Sequence, residues 1–84
     1  MGRQIVKVRA DFDVDGNPFP LKFKIVTEEK NLVTVRVDRI TKSDTNFYAG
    51  NKMLVYHCES IEDGVFKPYE LRYEVDTCKW FFYY

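Results

Sequence analysis

The chain has 84 residues, 45% of them hydrophobic and 31% charged, with a formal net charge of zero. This composition excludes a disordered chain and fits one small globular domain, whose 17% aromatic share supplies a core at about 150–250 Å² of buried area per ring. No run of about 18 apolar residues and no hydrophobic signal core is present, so export and membrane spanning are not expected. Two cysteines are too few for a disulfide scaffold, and a cytoplasmic location is the expectation.

Val6, Val8, Ala10 and Phe12 alternate with Lys7, Arg9 and Asp11, the period-two pattern of a strand with one buried and one wet face. Asp13 to Pro18 is a cluster of turn formers. Leu21, Phe23 and Ile25 alternate with Lys22 and Lys24 in a second strand, for which Pro20 fits the first position. After a polar turn at Glu28 to Asn31, Val33, Val35 and Val37 alternate with Thr34, Arg36 and Asp38, a third strand rich in β-branched residues. Ile40 breaks that phase, which predicts a bulge or strand end near Asp38-Arg39. From Thr41 to Lys52 no period is visible, and a short helical turn or functional loop is expected there. Leu54, Tyr56 and Cys58 face in and His57 and Glu59 out on the next strand, which turns at Glu62-Asp63-Gly64.

Tyr69, Leu71, Tyr73 and Val75 alternate with Glu70, Arg72 and Glu74, and Pro68 is placed at the head of this strand. Trp80 to Tyr84 is aromatic at every position. Trp80, Phe82 and Tyr84 face one way and Phe81 and Tyr83 the other, so the second set needs cover from the Thr41 to Lys52 segment or from a second subunit, a possible homodimer. The four residues Asp76 to Lys79 suit a hairpin joining these last two strands. Together the elements predict an all-β, single-domain antiparallel meander of roughly five or six strands, closing into an SH3-like barrel or compact sandwich with Val8, Phe23, Val35, Tyr56 and Tyr73 in one core.

Val37-Asp38-Arg39-Ile40, Ala49-Gly50, Tyr56 and Cys58, Tyr73-Glu74 and Trp80-Phe81 carry a resemblance to short bacterial proteins without an assigned function. The chain departs from that pattern in a longer turn near Glu62 and in its Tyr83-Tyr84 ending. The resemblance implies the extent of the domain and no site.

Asp11 to Gly16 reads D-F-D-V-D-G, the opening of a calcium loop with carboxylates at alternate positions. A complete loop needs an acid where the chain has Lys22 and an oxygen ligand where it has Phe19, so a structural turn is expected. His57 and Cys58 are neighbours on a strand and point to opposite faces, which argues against a zinc site with Cys78. Cys78 stays geometrically open as a thiol nucleophile with His57 as its base. Glu59, Glu70 and Glu74 are ordinary outward positions rather than an acid–base pair. Neither metal, cofactor nor catalysis is expected.

Charge is unevenly distributed: residues 1–27 carry five basic side chains against three acidic ones, and residues 53–78 carry two against six. Lys7, Arg9, Lys22, Lys24 and Arg36 are placed to lie side by side on the outer face of the first three strands, where the neutral alternative is a solvated face offset by Asp11 and Asp38. Exposed aromatics supply a second candidate surface from Phe47, Tyr48, Trp80, Phe82 and Tyr84. A protein-interaction module is the first functional expectation, ahead of an accessory single-stranded nucleic-acid binder that uses the basic face.

Overall fold

Every strand read from alternation is present in the computed structural model, which describes residues 2–84, and one further strand appears where no period was visible. The strands are β1 (Arg3–Phe12), β2 (Pro18–Val26), β3 (Leu32–Arg36), β4 (Arg39–Tyr48), β5 (Asn51–Glu62), β6 (Val65–Glu74) and β7 (Lys79–Tyr83). They form one antiparallel sheet of seven strands in the order β3-β2-β1-β7-β6-β5-β4. Two meanders, β1 to β3 and β4 to β7, are therefore stitched together by the β1–β7 ladder.

The expected helical turn or loop between Thr41 and Lys52 is replaced by β4 and a two-residue turn. That turn, Ala49-Gly50, and its counterpart Asp63-Gly64 both have positive φ at each residue, at 50° and 83° and at 51° and 78°, the type I′ signature that matches strand twist. Ala49 carries a Cβ in a conformation that disfavours one. Ala49→Asn, the preferred residue for this position, is expected to raise stability by about 0.5–1 kcal/mol, read as a shift of the urea midpoint at constant slope.

The sheet does not close into a barrel, and it has seven strands rather than five or six. Its two edges meet at one corner only, through Val37-Asp38: Val37 N–H donates to Leu21 O at 2.9 Å, and Asp38 N–H to Glu59 O at 3.1 Å. At this corner the hydroxyl of Ser60 on β5 donates to Arg36 O at 2.5 Å and lies 2.6 Å from the hydroxyl of Tyr69. Beyond the corner β3 and β4 form no ladder. The bulge expected near Asp38-Arg39 falls just after it, between Ile40 and Lys42.

The sheet coils instead, so that its inner face packs on itself. Val6, Phe23, Tyr56, Cys58, Leu71, Tyr73, Trp80 and Phe82 form the core, with Val8, Val35, Ile40, Leu54 and Tyr69 packed against it. Phe23 from β2 lies 5.3 Å from Tyr69 and 5.0 Å from Phe82, ring centre to ring centre, across the fold. The Tyr56 hydroxyl donates to the Pro18 carbonyl and ties β5 to the start of β2. Where the β1–β2 and β1–β7 ladders part, the Gln4 amide accepts from Val26 N–H at 2.8 Å and donates to Val26 O at 3.2 Å, so the parting leaves neither group unpaired.

Pro68 sits inside β6 rather than at its head. There β6 is paired with β5 alone, because the β7 register begins at Glu70, so the missing N–H interrupts no ladder.

Burial pushes the Tyr56 and Tyr69 hydroxyls up to about 12 from an ordinary 10.0, and the Cys58 thiol up to about 12 from 9.0. The folded chain holds all three neutral while the unfolded chain ionises them at their ordinary values. The stability tied to their neutral forms is complete below pH 9 and is lost as pH rises to about 12. A melting temperature that is level from neutral pH to pH 9 and then falls is expected, with a shallower alkaline fall for Tyr69→Phe.

Candidate functional site

The register of β1, β2 and β3 decides where the basic residues lie. Lys7 stands opposite Lys24, Arg9 opposite Lys22, and Lys22 opposite Arg36. Alternation puts Val8, Phe23 and Val35 inward, so these five cations share the outer face in two adjacent rows, and all are exposed. Among the described residues none of the five forms an ion pair. The two acids that could have offset them do not: Asp38 accepts from Ile61 N–H at 2.7 Å, and Asp11 is opposite Phe19. A shallow groove of about 280 Å³ runs between Lys7, Arg9, Lys22, Lys24 and Thr34. Phe19, 48% exposed, stands opposite Asp11 further along β2 from the Arg9–Lys22 pair, and Leu32, 65% exposed, stands opposite Val26.

The aromatic candidates are not brought together. Trp80 and Phe82, 7% and 9% exposed, belong to the core and are withdrawn from any binding surface. Tyr84 stacks on Phe82 at 4.8 Å and remains exposed, its ring over Gly2, where a Cβ would overlap it. Phe47 and Tyr48 are exposed at the end of β4, with side chains alternating to opposite faces.

Phe81 and Tyr83 are half-buried, each beneath an arginine of the same sheet. The Arg3 guanidinium carbon lies 5.4 Å from the Phe81 ring centre, and that of Arg72 4.2 Å from the Tyr83 ring centre. Arg72 is held in place by Glu70, which accepts from Nε at 3.1 Å and from a terminal nitrogen at 2.8 Å. A flat guanidinium covers a ring face while staying hydrated at its edges, which is how the second set of β7 rings gains partial cover in a single sheet.

The residues considered for chemistry are each engaged elsewhere. Asp13 accepts at 2.9 Å from both Asp15 N–H and Asn17 N–H, and the Asn17 bond foremost holds its carboxyl below the usual value. The carboxylate thus closes its own turn. Cys58 is buried on the inner face and donates to Tyr56 O at 3.6 Å, whereas His57 is on the outer face between Asp44 at 3.4 Å and Glu70 at 3.6 Å. Cys78 is exposed in the β6–β7 turn beside Val75 O at 3.8 Å. Glu59 is bound by Arg39 at 2.6 Å and Glu74 by the Thr77 hydroxyl at 2.6 Å.

Sequence reasoning missed a depression of about 570 Å³ bordered by His57, Glu59, Glu70, Arg72 and Tyr83. Its charged groups neutralise one another through the Arg72–Glu70 and Arg39–Glu59 pairs, unlike the basic face, whose five cations form no ion pair among the described residues. No group of three or more His, Cys, Asp or Glu among the described residues is placed to hold a metal ion. No protein family, curated protein or solved structure matches this chain.

Proposed function

We propose that the protein is a small non-catalytic interaction module that docks an acidic partner protein on the outer face of β1, β2 and β3. The observation that carries this reading is the set of five cations in cross-strand register without a counter-ion among the described residues. Like charges directly opposite on neighbouring strands destabilise a sheet, and carboxylates from a partner would relieve that repulsion as they bind. The engagement of Cys58, Glu59, Glu70 and Glu74 in local contacts supports a binding role over a catalytic one.

A second reading, a binder of single-stranded nucleic acid, draws on Phe19, an exposed ring beside the basic rows on which a base could stack. One salt titration separates the two. Fluorescence anisotropy with labelled polyglutamate as an acidic polypeptide is expected to show binding that weakens with salt and disappears in Arg9→Glu/Lys22→Glu. A random single-stranded oligonucleotide bound more tightly than polyglutamate, with a log–log salt slope near −3.5 for about five phosphates, would move the assignment to nucleic acid. If the double variant binds polyglutamate as well as the parent does, the basic face is not the docking surface.

A further inference from the structure

β3 is an end strand of the sheet and is laddered to β2 alone. Val37 N–H donates to Leu21 O and Thr27 N–H to Asn31 O, each at 2.9 Å, so antiparallel alternation directs the backbone groups of Val33 and Val35 toward β2. The N–H and C=O of Leu32 and Thr34 therefore point away from the sheet. The outward carbonyl of Arg36 is already taken by Ser60.

The two edges differ. β4 carries a register shift between Ile40 and Lys42 and a Lys42–Asp44 ion pair at 3.6 Å, devices that discourage a further strand. β3 has neither bulge nor proline, and Leu32 and Val33 are 65% and 41% exposed.

We propose that the β3 edge captures an extended acidic segment of the partner protein as an added strand, an inference that rests on the basic face being the docking surface. A strand about 4.8 Å beyond β3 would find the Leu32 and Thr34 backbone groups free to bond. Its side chains would alternate between two environments. Those on the outer face would stand beside Arg36, with Lys22 and Lys24 one strand further in, and are acidic. Those on the inner face would stand beside Val33 and Val35 and are apolar. The ligand class is thus a strand alternating Asp or Glu with Val, Ile or Leu. A second copy of β3 is disfavoured as occupant, because it would join two basic faces edge to edge.

The test uses the full chain and a short labelled peptide alternating Val and Asp, with a Val–Lys peptide and polyglutamate as comparisons. The Val–Asp peptide is expected to bind and the Val–Lys peptide not. Proline at position 34 removes an outward N–H without breaking a bond to β2, so Thr34→Pro is expected to weaken the Val–Asp peptide by about tenfold or more, a larger factor than Thr34→Ala, which alters the side chain and keeps the N–H. Lys24→Glu/Arg36→Glu is expected to weaken both ligands, the Val–Asp peptide and polyglutamate. Hydrogen exchange on the unaltered protein supplies a reading free of folding effects: peptide should slow the Leu32 and Thr34 amides and leave Val33 and Val35 as they were.

Strand capture is overturned, with the basic face still standing, if Leu32 and Thr34 exchange at unchanged rates in saturating peptide, or if folded Thr34→Pro binds the peptide normally. Both readings fall if Lys24→Glu/Arg36→Glu binds both ligands as the parent does. A concentration-dependent dimer that protects the same two amides without peptide overturns the proposal in favour of a second copy. An oligonucleotide that outcompetes the peptide and ignores Thr34→Pro overturns it in favour of nucleic acid.

Discussion

Truncation after Lys79 is expected to leave a chain that does not fold. Among the described residues β7 provides the one ladder joining the β1–β3 meander to the β4–β7 meander, bonded to β1 on one side and β6 on the other. It also carries two core rings. Trp80 lies 4.9 Å from Tyr73 and 5.8 Å from Tyr56, and Phe82 lies 5.0 Å from Phe23 and 5.6 Å from Tyr69. Removing a buried Phe or Trp side chain costs about 3–5 kcal/mol, and two such losses match the whole stability expected of a domain this size, about 4–13 kcal/mol. The deletion also leaves β1 and β6 with unpaired inner edges. Near-ultraviolet circular dichroism should collapse and the cooperative urea transition disappear. An unchanged transition in the shortened chain would mean that β7 is a free tail and that the sheet is organised otherwise.

The strands that were legible are those with one face in the core. In β1, β2, β3, β5 and β6 the period-two alternation is the direct imprint of one buried and one wet face, and Val8, Phe23, Val35, Tyr56 and Tyr73 do share one core. β4 left no such imprint because only Ile40 and Asp44 are even half-buried along its ten residues. An edge strand exposed on both faces has the composition of a loop. The open sheet was hidden because alternation gives each strand's buried face but not whether the end strands pair, and the half-buried Phe81 and Tyr83 lie under Arg3 and Arg72. Cover by charged side chains cannot be read from alternation, which counts arginine as a solvent position.

The candidate site was legible to a similar depth. The facing rows of Lys7, Arg9, Lys22, Lys24 and Arg36 follow from strand parity and from hairpin lengths, and the ladders place them opposite one another. Two facts needed the fold. Asp38 is occupied by Ile61 N–H, and the aromatic cluster divides into a buried pair, Trp80 and Phe82, and scattered exposed rings. Burial of alternate residues in an all-aromatic strand depends on which face meets the core, and composition alone does not say.

Phe23→Ala is expected to destabilise the domain by about 3–5 kcal/mol, the second largest effect considered after the truncation. Phe23 is 1% exposed, and its ring is the contact by which β2 reaches across the coiled sheet to Tyr69 on β6 and Phe82 on β7. Three rings that close cannot relax into the space left by one of them, so the cavity term persists. A cycle pairing Phe23→Leu with Phe82→Leu should give a coupling of about 0.5–1.5 kcal/mol, the excess carried by tilted aromatic packing. The same substitution reaches the basic face. Phe23 is flanked by Lys22 and Lys24, and it is the inward anchor that fixes the strand parity presenting both to solvent. Polyglutamate binding in Phe23→Ala should therefore weaken even in conditions where the variant remains folded by circular dichroism. A loss of stability below about 1 kcal/mol would mean that β2 is held by its ladders alone, and the inner face would then not be the principal source of the fold's stability.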